Sequence, residues 1–242
     1  SFQRCSFTGG VSSGAPPFSV GGIGLRVSSS KVSLHDVNCT GGACSGLGPS
    51  ETGGDGLEAV GVSVFAAGCS FIGGAGGSQG GIGLWVFSQV TVLDCIESGG
   101  LPTIGPPAPP VSVQGPGVLT TLPPPARHLL APEPTREMQP ATLTVKGIPG
   151  EQIGVLYALS HDPGVELAGL NEVLLLPLSS VSSAALGAIP PSGTLSVPLT
   201  APSLPPSVLA TTFYLQCVHF DLPITYAVLG PPGAWTILSA TL

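Results

Sequence analysis

The chain has 242 residues, a net charge of −7 and only six Lys and Arg against 13 Asp and Glu. A nucleic-acid-binding surface needs clustered basic side chains that displace counterions, so this composition argues against a nucleic-acid partner. No run of about eighteen apolar residues is present, so the sequence predicts no membrane span.

Short phrases recur along the first hundred residues. The phrase "CSFTGG" at 5–10 returns as "CSFIGG" at 69–74, and the related phrases "VNCTGG" and "CIESGG" end at Gly42 and Gly100. Self-similarity at a period of roughly 30 residues indicates a repeat architecture.

Each repeat contains alternating stretches such as "LRV", "VSL" and "VTVL", separated by Gly, Ser or Asn and without helical periodicity. Such a unit predicts one turn of a parallel β-helix whose turns stack at about 4.8 Å. We therefore predict three to four right-handed coils over residues 1–100. One internal column is expected to contain Cys5, Val37, Cys69 and Cys95. A second column, two residues further on, is expected to contain Phe7, Cys39, Phe71 and Glu97.

The Gly-Gly pairs that end each phrase are expected to form sharp corners, since Gly adopts left-handed backbone angles without strain.

Composition changes near residue 100. Most of the 36 Gly precede residue 101 and most of the 27 Pro follow it, and Pro-rich chain cannot continue the interior of a sheet. We predict a Pro-rich linker over 101–140, which includes "VSVQ" and "GVLTTL", and a β-sandwich over 141–242. The sandwich strands are expected at 141–147, 152–160, 172–178, 193–199, 211–221, 224–230 and 234–242, with "GPPG" as a turn.

The rungs "CSFTGG" and "CSFIGG" resemble the right-handed parallel β-helix repeats of large secreted bacterial proteins. The segment from "PATLTVKGIPGEQIGVLYALS" to "TTFYLQCV" is similar to the C-terminal β-sandwich modules that follow such helices. Pectate lyases, polygalacturonases, autotransporter passengers, phage tailspikes and surface adhesins share this fold. The resemblance implies an all-β extracellular or cell-surface protein, but it assigns no catalytic residue.

Polysaccharide enzymes of the β-helix class use acidic clusters, often with Arg or Lys, on the long external face. The corresponding candidates here are Arg26, Lys31, His35, Asp36, Asp94 and Glu97. Asp36 and Asp94 occupy equivalent places two coils apart, or roughly 10 Å, which is the long limit for an inverting pair. We interpret them as turn carboxylates and expect no enzymatic activity and no cofactor. His161, Asp162, His219 and Asp221 match no metal-ligand spacing, so no metal site is expected.

The cysteines point to an oxidising compartment. Cys39 and Cys44, which close the loop "CTGGAC", are the suggested disulfide. Cys5, Cys69, Cys95 and Cys217 are expected as buried thiols.

The phrase "GIGLRVSSSKVSLHDV" at 22–37 matches "GIGLWVFSQVTVLDC" at 81–95 once one turn residue is dropped. Trp85 thus replaces Arg26 of the matching coil and should therefore point outward. Sugars are commonly held by stacking on exposed aromatic rings, so Trp85 is a candidate carbohydrate contact. The alternative is that it packs against the linker or the sandwich.

Two functions remain open. The preferred one is an extracellular structural protein, a subunit of a surface fibre or adhesin that self-assembles with other copies through its β modules. The alternative is the C-terminal part of a polysaccharide-binding or polysaccharide-cleaving β-helix protein. The first rung carries Phe2, Cys5 and Phe7 without a polar cap, so these residues are the candidate self-assembly site. Because the chain starts partway through a coil, we expect it to be a processed product or the tail of a longer protein.

Overall fold

The computed structural model describes residues 2–12, 19–28, 31–44, 51–61, 63–122, 124–161, 165–166 and 173–241. Across these ranges the chain is all-β, without helices, and it forms two compact units, Ser1–Pro124 and Pro125–Leu242. Accordingly, the described part of the chain contains no helix of the length and hydropathy that crossing a membrane requires.

The first unit contains three parallel sheets, whose strands are numbered β1 to β13 in chain order. The first sheet has the order β1 (Phe2–Gln3), β4 (Val32–His35), β7 (Ser63–Ala67), β10 (Gln89–Leu93) and β13 (Val118–Leu122). The second sheet has the order β2 (Ser6–Thr8), β5 (Asn38–Thr40), β8 (Ser70–Ile72) and β11 (Ile96–Ser98). The third sheet has the order β3 (Leu25–Ser28), β6 (Leu57–Val60), β9 (Leu84–Val86) and β12 (Val111–Val113).

Successive turns take one strand from each sheet, so the unit is a parallel β-solenoid of about four turns. This confirms an all-β chain that contains a solenoid consistent with a β-helix. Strands β12 and β13 lie in the stretch for which the sequence predicts a linker, yet they pair in parallel with β9 and β10. The chain divides into its two units only after Pro124.

The repeated phrases form the interior of the solenoid. Cys39 pairs in register with Phe7 of the preceding turn and Phe71 of the next turn, and Phe71 pairs with Glu97. Both Cys39 and Phe71 are fully buried in the hydrophobic core of this unit. The expected second column is therefore present, and it ends on a half-buried Glu97 as the apolar pattern breaks.

The corner between the first and second sheets uses left-handed backbone. Arg4, Asp36, Gly68 and Asp94 occupy this corner in four successive turns, with φ angles of 50°, 52°, 62° and 53°. Asp tolerates this conformation better than most residues. The corner geometry thus accounts for the equivalent positions of Asp36 and Asp94.

The Gly-Gly pairs have a different role from the one expected. None of Gly9, Gly41 and Gly73 has a left-handed φ. Instead, backbones approach so closely that a Cβ on Gly41 would lie 1.8 Å from the carbonyl oxygen of Gly54. Backbone hydrogen bonds run along this glycine column, alternately within one turn and between successive turns. They join Gly22 to Gly10, Gly42 to Gly22, Gly54 to Gly42, Gly74 to Gly54, Gly81 to Gly74 and Gly100 to Gly81.

The second unit contains two larger sheets and a short ladder. One sheet has the order β14 (His128–Leu130), β16 (Pro140–Lys146) and β21 (Thr194–Thr200). The other has the order β15 (Thr135–Arg136), β23 (Ala227–Leu238), β22 (Ala210–Phe220), β17 (Gln152–Ala158) and β20 (Ser182–Ala188). Strands β18 (Val165–Glu166) and β19 (Val173–Leu174) pair with each other.

One buried cluster draws residues from both larger sheets of this unit. Leu143 and Val145 come from β16, while Ile153, Cys217 and Ile237 come from the five-stranded sheet. Alternating apolar residues on β16, β17, β22 and β23 therefore face one shared core.

Candidate functional site

The first turn of the solenoid contains the three residues expected to mediate self-assembly. Strands β1, β2 and β3 each pair with one neighbour only within the described part of the chain. Phe2 is 39% exposed, and its ring packs edge-on against Phe7 with 5.3 Å between the ring centroids. Phe7 is half-buried and packs on the solenoid core. Cys5 is half-buried as well, and its thiol donates a hydrogen bond to the carbonyl oxygen of Gln3 at 3.1 Å.

The outer side of the third sheet carries a ladder of polar and aromatic side chains. Arg26, Glu58, Trp85 and Ser112 are register partners in four successive turns. Leu84 and Val86, which flank Trp85, are buried in the core. Alternation along β9 therefore places Trp85 on the outer side.

Trp85 forms an aromatic pair on this face. It is half-buried, and its ring centroid lies 4.9 Å from that of Phe87. Its Nε1 atom is buried and lacks a hydrogen-bond acceptor within the described ranges.

Charged side chains lie in the two turns that precede the turn of Trp85. Arg26 Nε lies 3.4 Å from Glu58 Oε2. Asp55 Oδ1 accepts a 2.7 Å hydrogen bond from the Ile82 amide. Burial raises the pKa of Asp55 above its usual value, and the nearby Glu58 charge raises it further. The face therefore combines an aromatic surface with hydrogen-bonding carboxylates, which are the groups that recognise sugar hydroxyls.

The expected catalytic candidates do not form one site by their register. Asp36 and Asp94 lie at corners separated by two turns, whereas Arg26 lies on the third sheet and pairs with Glu58. His35 is buried, and its ring lies 5.9 Å from that of Phe65. Burial raises the pKa of the Glu97 carboxyl.

Cys39 and Cys44 are both free thiols in the structure and have different surroundings. Cys39 faces the apolar column between Phe7 and Phe71, and burial raises its pKa to about 12. The Cys44 sulfur lies 3.2 Å from the Ser19 hydroxyl. The suggested disulfide between them remains a prediction.

The second unit buries an ionic network that sequence reasoning missed. Glu151 Oε1 accepts hydrogen bonds from Arg127 Nε at 3.1 Å and from the Tyr226 hydroxyl at 2.6 Å. Glu151 Oε2 lies 3.3 Å from His219 Nδ1 and accepts a 2.9 Å hydrogen bond from the Ile148 amide. The side chains of Arg127, Glu151 and His219 are almost completely buried.

The network sets the charge states of its members. Burial alone would raise the pKa of Glu151, but hydrogen bonds from His219, Arg127, Tyr226 and Ile148 outweigh it and lower that pKa to about 2. Burial, followed by the effect of Glu151, raises the pKa of Tyr226 to about 12. Burial lowers the pKa of His219. Glu151 is thus held ionised opposite Arg127.

Backbone packs closely around the His219 end of this network. A Cβ on Gly230 would lie 3.4 Å from His219 Nε2, so β23 closes over the imidazole nitrogen that is not bonded to Glu151. The described residues contain no group of three His, Cys, Asp or Glu that could hold a metal. Asp221 caps a turn by accepting hydrogen bonds from Thr225 and Tyr226. His161 packs on Tyr214, and Asp162 lies outside the described residues. Arg127 and Glu151 are 24 residues apart in the sequence and form no recognisable motif. The sequence therefore did not predict their ion pair.

The chain matches no protein-family model, and a search of curated proteins finds no match.

Proposed function

We propose that the chain is an extracellular structural protein, a subunit of a bacterial surface fibre or adhesin that self-assembles through its solenoid. In this proposal the solenoid is a right-handed β-helix, as parallel strands joined by crossovers nearly always are. The second unit is a β-sandwich, a proposal supported by the single core that its two sheets share.

The open first turn carries the proposal. Among the described residues, the three short parallel strands there have no strand partner on one side, next to the rings of Phe2 and Phe7. Unpaired strand edges over an apolar cross-section favour addition of further strands.

The proposed occupant of this edge is a second copy of the chain. The last strands of the solenoid, β11, β12 and β13, also pair with one neighbour each in the described part of the chain. One copy can therefore offer parallel strand edges to the other. A net charge of only −7 over 242 residues gives weak repulsion between copies.

The test compares charged substitutions at two places. Phe2→Lys with Phe7→Lys puts charges at the edge, while Ile72→Lys on the internal strand β8 is the matched control, because Ile72 is 40% exposed. The proposal expects polymers for the wild type and the control, and monomers for the double variant, by light scattering. A wild type that is monomeric contradicts it, as does a double variant that polymerises like the wild type.

A second candidate function is binding of polysaccharide at Trp85. It is supported by the pairing of Trp85 with Phe87 beside Glu58 and Asp55. The acidic face and the net negative charge favour a neutral polymer over a uronic-acid polymer.

Tryptophan fluorescence tests this binding because the chain has only two Trp, at 85 and 235. A neutral β-glucan oligosaccharide is expected to change the emission of the wild type and of Trp235→Phe, but not that of Trp85→Ala. An unchanged wild-type spectrum contradicts the candidate. Polygalacturonate is expected to show no turnover, and turnover that Asp36→Ala or Asp94→Ala abolishes would contradict the non-enzymatic proposal.

A further inference from the structure

Cys69 and Cys95 are adjacent members of one internal column. The Ile96 amide donates a 2.9 Å hydrogen bond to the carbonyl oxygen of Cys69, and Ile96 pairs in register with Ser70. Cys95 therefore lies directly opposite Cys69 in the next turn. The two thiols also reach neighbouring backbone carbonyl groups: the Cys69 thiol donates a 3.4 Å hydrogen bond to Ala67 and the Cys95 thiol donates one of 3.4 Å to Ala66.

We propose that Cys69 and Cys95 form a disulfide that joins the third and fourth turns of the solenoid when the protein meets a low-molecular-weight disulfide. Parallel strands place opposite Cα atoms about 4.8 Å apart, which falls within the roughly 4.4 to 6.8 Å range of disulfide-bonded cysteines. The Cys95 sulfur is directed toward the third turn, since it lies 3.4 Å from the carbonyl oxygen of Ala66 in that turn.

The same geometry excludes pairing of Cys69 with Cys5 of its own column or with Cys39 of the neighbouring column. Cys5 and Cys69 are separated by the turn that contains Val37, so they lie about 10 Å apart. Cys39 is offset from Cys69 by one turn and two residues, which corresponds to about 8 Å along the diagonal. Both separations exceed the reach of a disulfide.

Exposure and charge set the order of the reaction. Cys95 is half-buried, whereas Cys69 is 2% exposed. Cys95 therefore meets the small disulfide first. The neighbouring Cys69 thiol lowers the pKa of Cys95, which favours the nucleophilic thiolate there, whereas the Cys95 thiol and burial raise the pKa of Cys69. Cys69 therefore reacts second, after Cys95 has entered the mixed disulfide.

The exchange balances in two steps. The Cys95 thiolate attacks one sulfur of the small disulfide, forming a mixed disulfide and expelling one small thiolate. Cys69 then loses its proton and attacks the Cys95 sulfur, expelling the second small thiolate. Two protein thiols are oxidised, one small disulfide is reduced, and the two protons go to the two released thiols.

The test uses the full, reduced, folded chain incubated with glutathione disulfide. Thiols are then titrated in denaturant, and disulfide-linked peptides are mapped by mass spectrometry. Two of the six thiols are expected to disappear, with one linked peptide pair joining Cys69 to Cys95.

Variants separate this pair from its neighbours. Cys39→Ser is the matched control, because it removes an equally buried thiol from the neighbouring column and should leave the Cys69–Cys95 link unchanged. Cys69→Ala should leave Cys95 as a mixed disulfide with glutathione. Retention of all six thiols in the wild type overturns the proposal, and so does a peptide map that lacks the Cys69–Cys95 link or joins either of these two cysteines to another one. The wild-type map decides the matter even if Cys69→Ala does not fold.

Discussion

Gly54 donates a 2.9 Å backbone hydrogen bond to the carbonyl oxygen of Gly42. This contact belongs to the glycine column, which runs through successive turns of the solenoid. A Cβ on Gly42 would lie 2.1 Å from the Gly10 carbonyl oxygen, closer than atoms can approach. The column thus explains the recurring Gly-Gly pairs by backbone contact.

Gly42→Ala should destabilise the first unit by about 3 kcal/mol or more, because backbone of a neighbouring segment must move to admit the methyl group. Gly10→Ala is the control, since a Cβ there meets no atom within 4 Å. Urea unfolding measures both variants. Equal stabilities for the two variants would show that the column is not tightly packed.

Gly68→Ala should cost about 1 kcal/mol, because Gly68 has a φ of 62° that an L-residue adopts only with strain. Gly68→Asn should cost less, since Asn tolerates left-handed backbone. The free energies of unfolding of the two variants are compared. An Ala variant as stable as the wild type would contradict the assigned corner conformation.

Arg127→Met should destabilise the second unit by about 3 to 5 kcal/mol, since it leaves the buried Glu151 carboxylate without its cation. Arg136→Met is the control. Arg136 is exposed and donates a hydrogen bond to the Ala240 carbonyl oxygen, so its loss should cost about 0.5 kcal/mol or less. Denaturant unfolding followed by Trp235 fluorescence in a Trp85→Phe background reports on this unit. Comparable losses of unfolding free energy in the two variants would mean that the buried Arg127–Glu151 pair stabilises the unit no more than the exposed Arg136 does.

Acid should weaken the second unit through Glu151. Its pKa is lowered from 4.5 to about 2 on folding, so the unfolded state binds more protons in that interval and stability falls as pH decreases from 4.5 toward 2. The buried His219, whose pKa is also lowered, adds a loss that begins below 6.5 by the same sign. Unfolding free energy is measured against pH for the wild type and Glu151→Gln.

Glu151→Gln should show a smaller slope between pH 4.5 and 2. Glu133→Gln changes an exposed carboxylate and should keep the wild-type slope. If the unfolding free energy of Glu151→Gln had the same slope against pH as that of the wild type, protonation of Glu151 would not explain the loss of stability in acid.

The repeat could be predicted from the sequence because identical rungs must stack. The phrase shared by Cys5 and Cys69 fixed the period, and the observed partners of Cys39 follow from it. The outward position of Trp85 followed from its match to Arg26, and both lie in one ladder. Local alternation and repetition were sufficient for these features.

Long-range packing limited the rest. Strand β20 is almost entirely exposed and poor in large apolar residues, so nothing in "SSAALGA" indicates a strand until it pairs with β17. The phrase "GPPG" predicts a turn, but β23 continues through Pro231 and Pro232, opposite a register shift near Gln216 in β22. Because regular pairing is interrupted there, the ladder does not require the backbone N–H groups that Pro lacks.

The central claim is that copies of the chain associate through the open first turn of the solenoid, and sedimentation velocity of the unmodified protein tests it most directly. Over an increasing series of concentrations, the account predicts growing species far heavier than 23.9 kDa, and these species should be lost in Phe2→Lys with Phe7→Lys. A single species of 23.9 kDa at every concentration would contradict it.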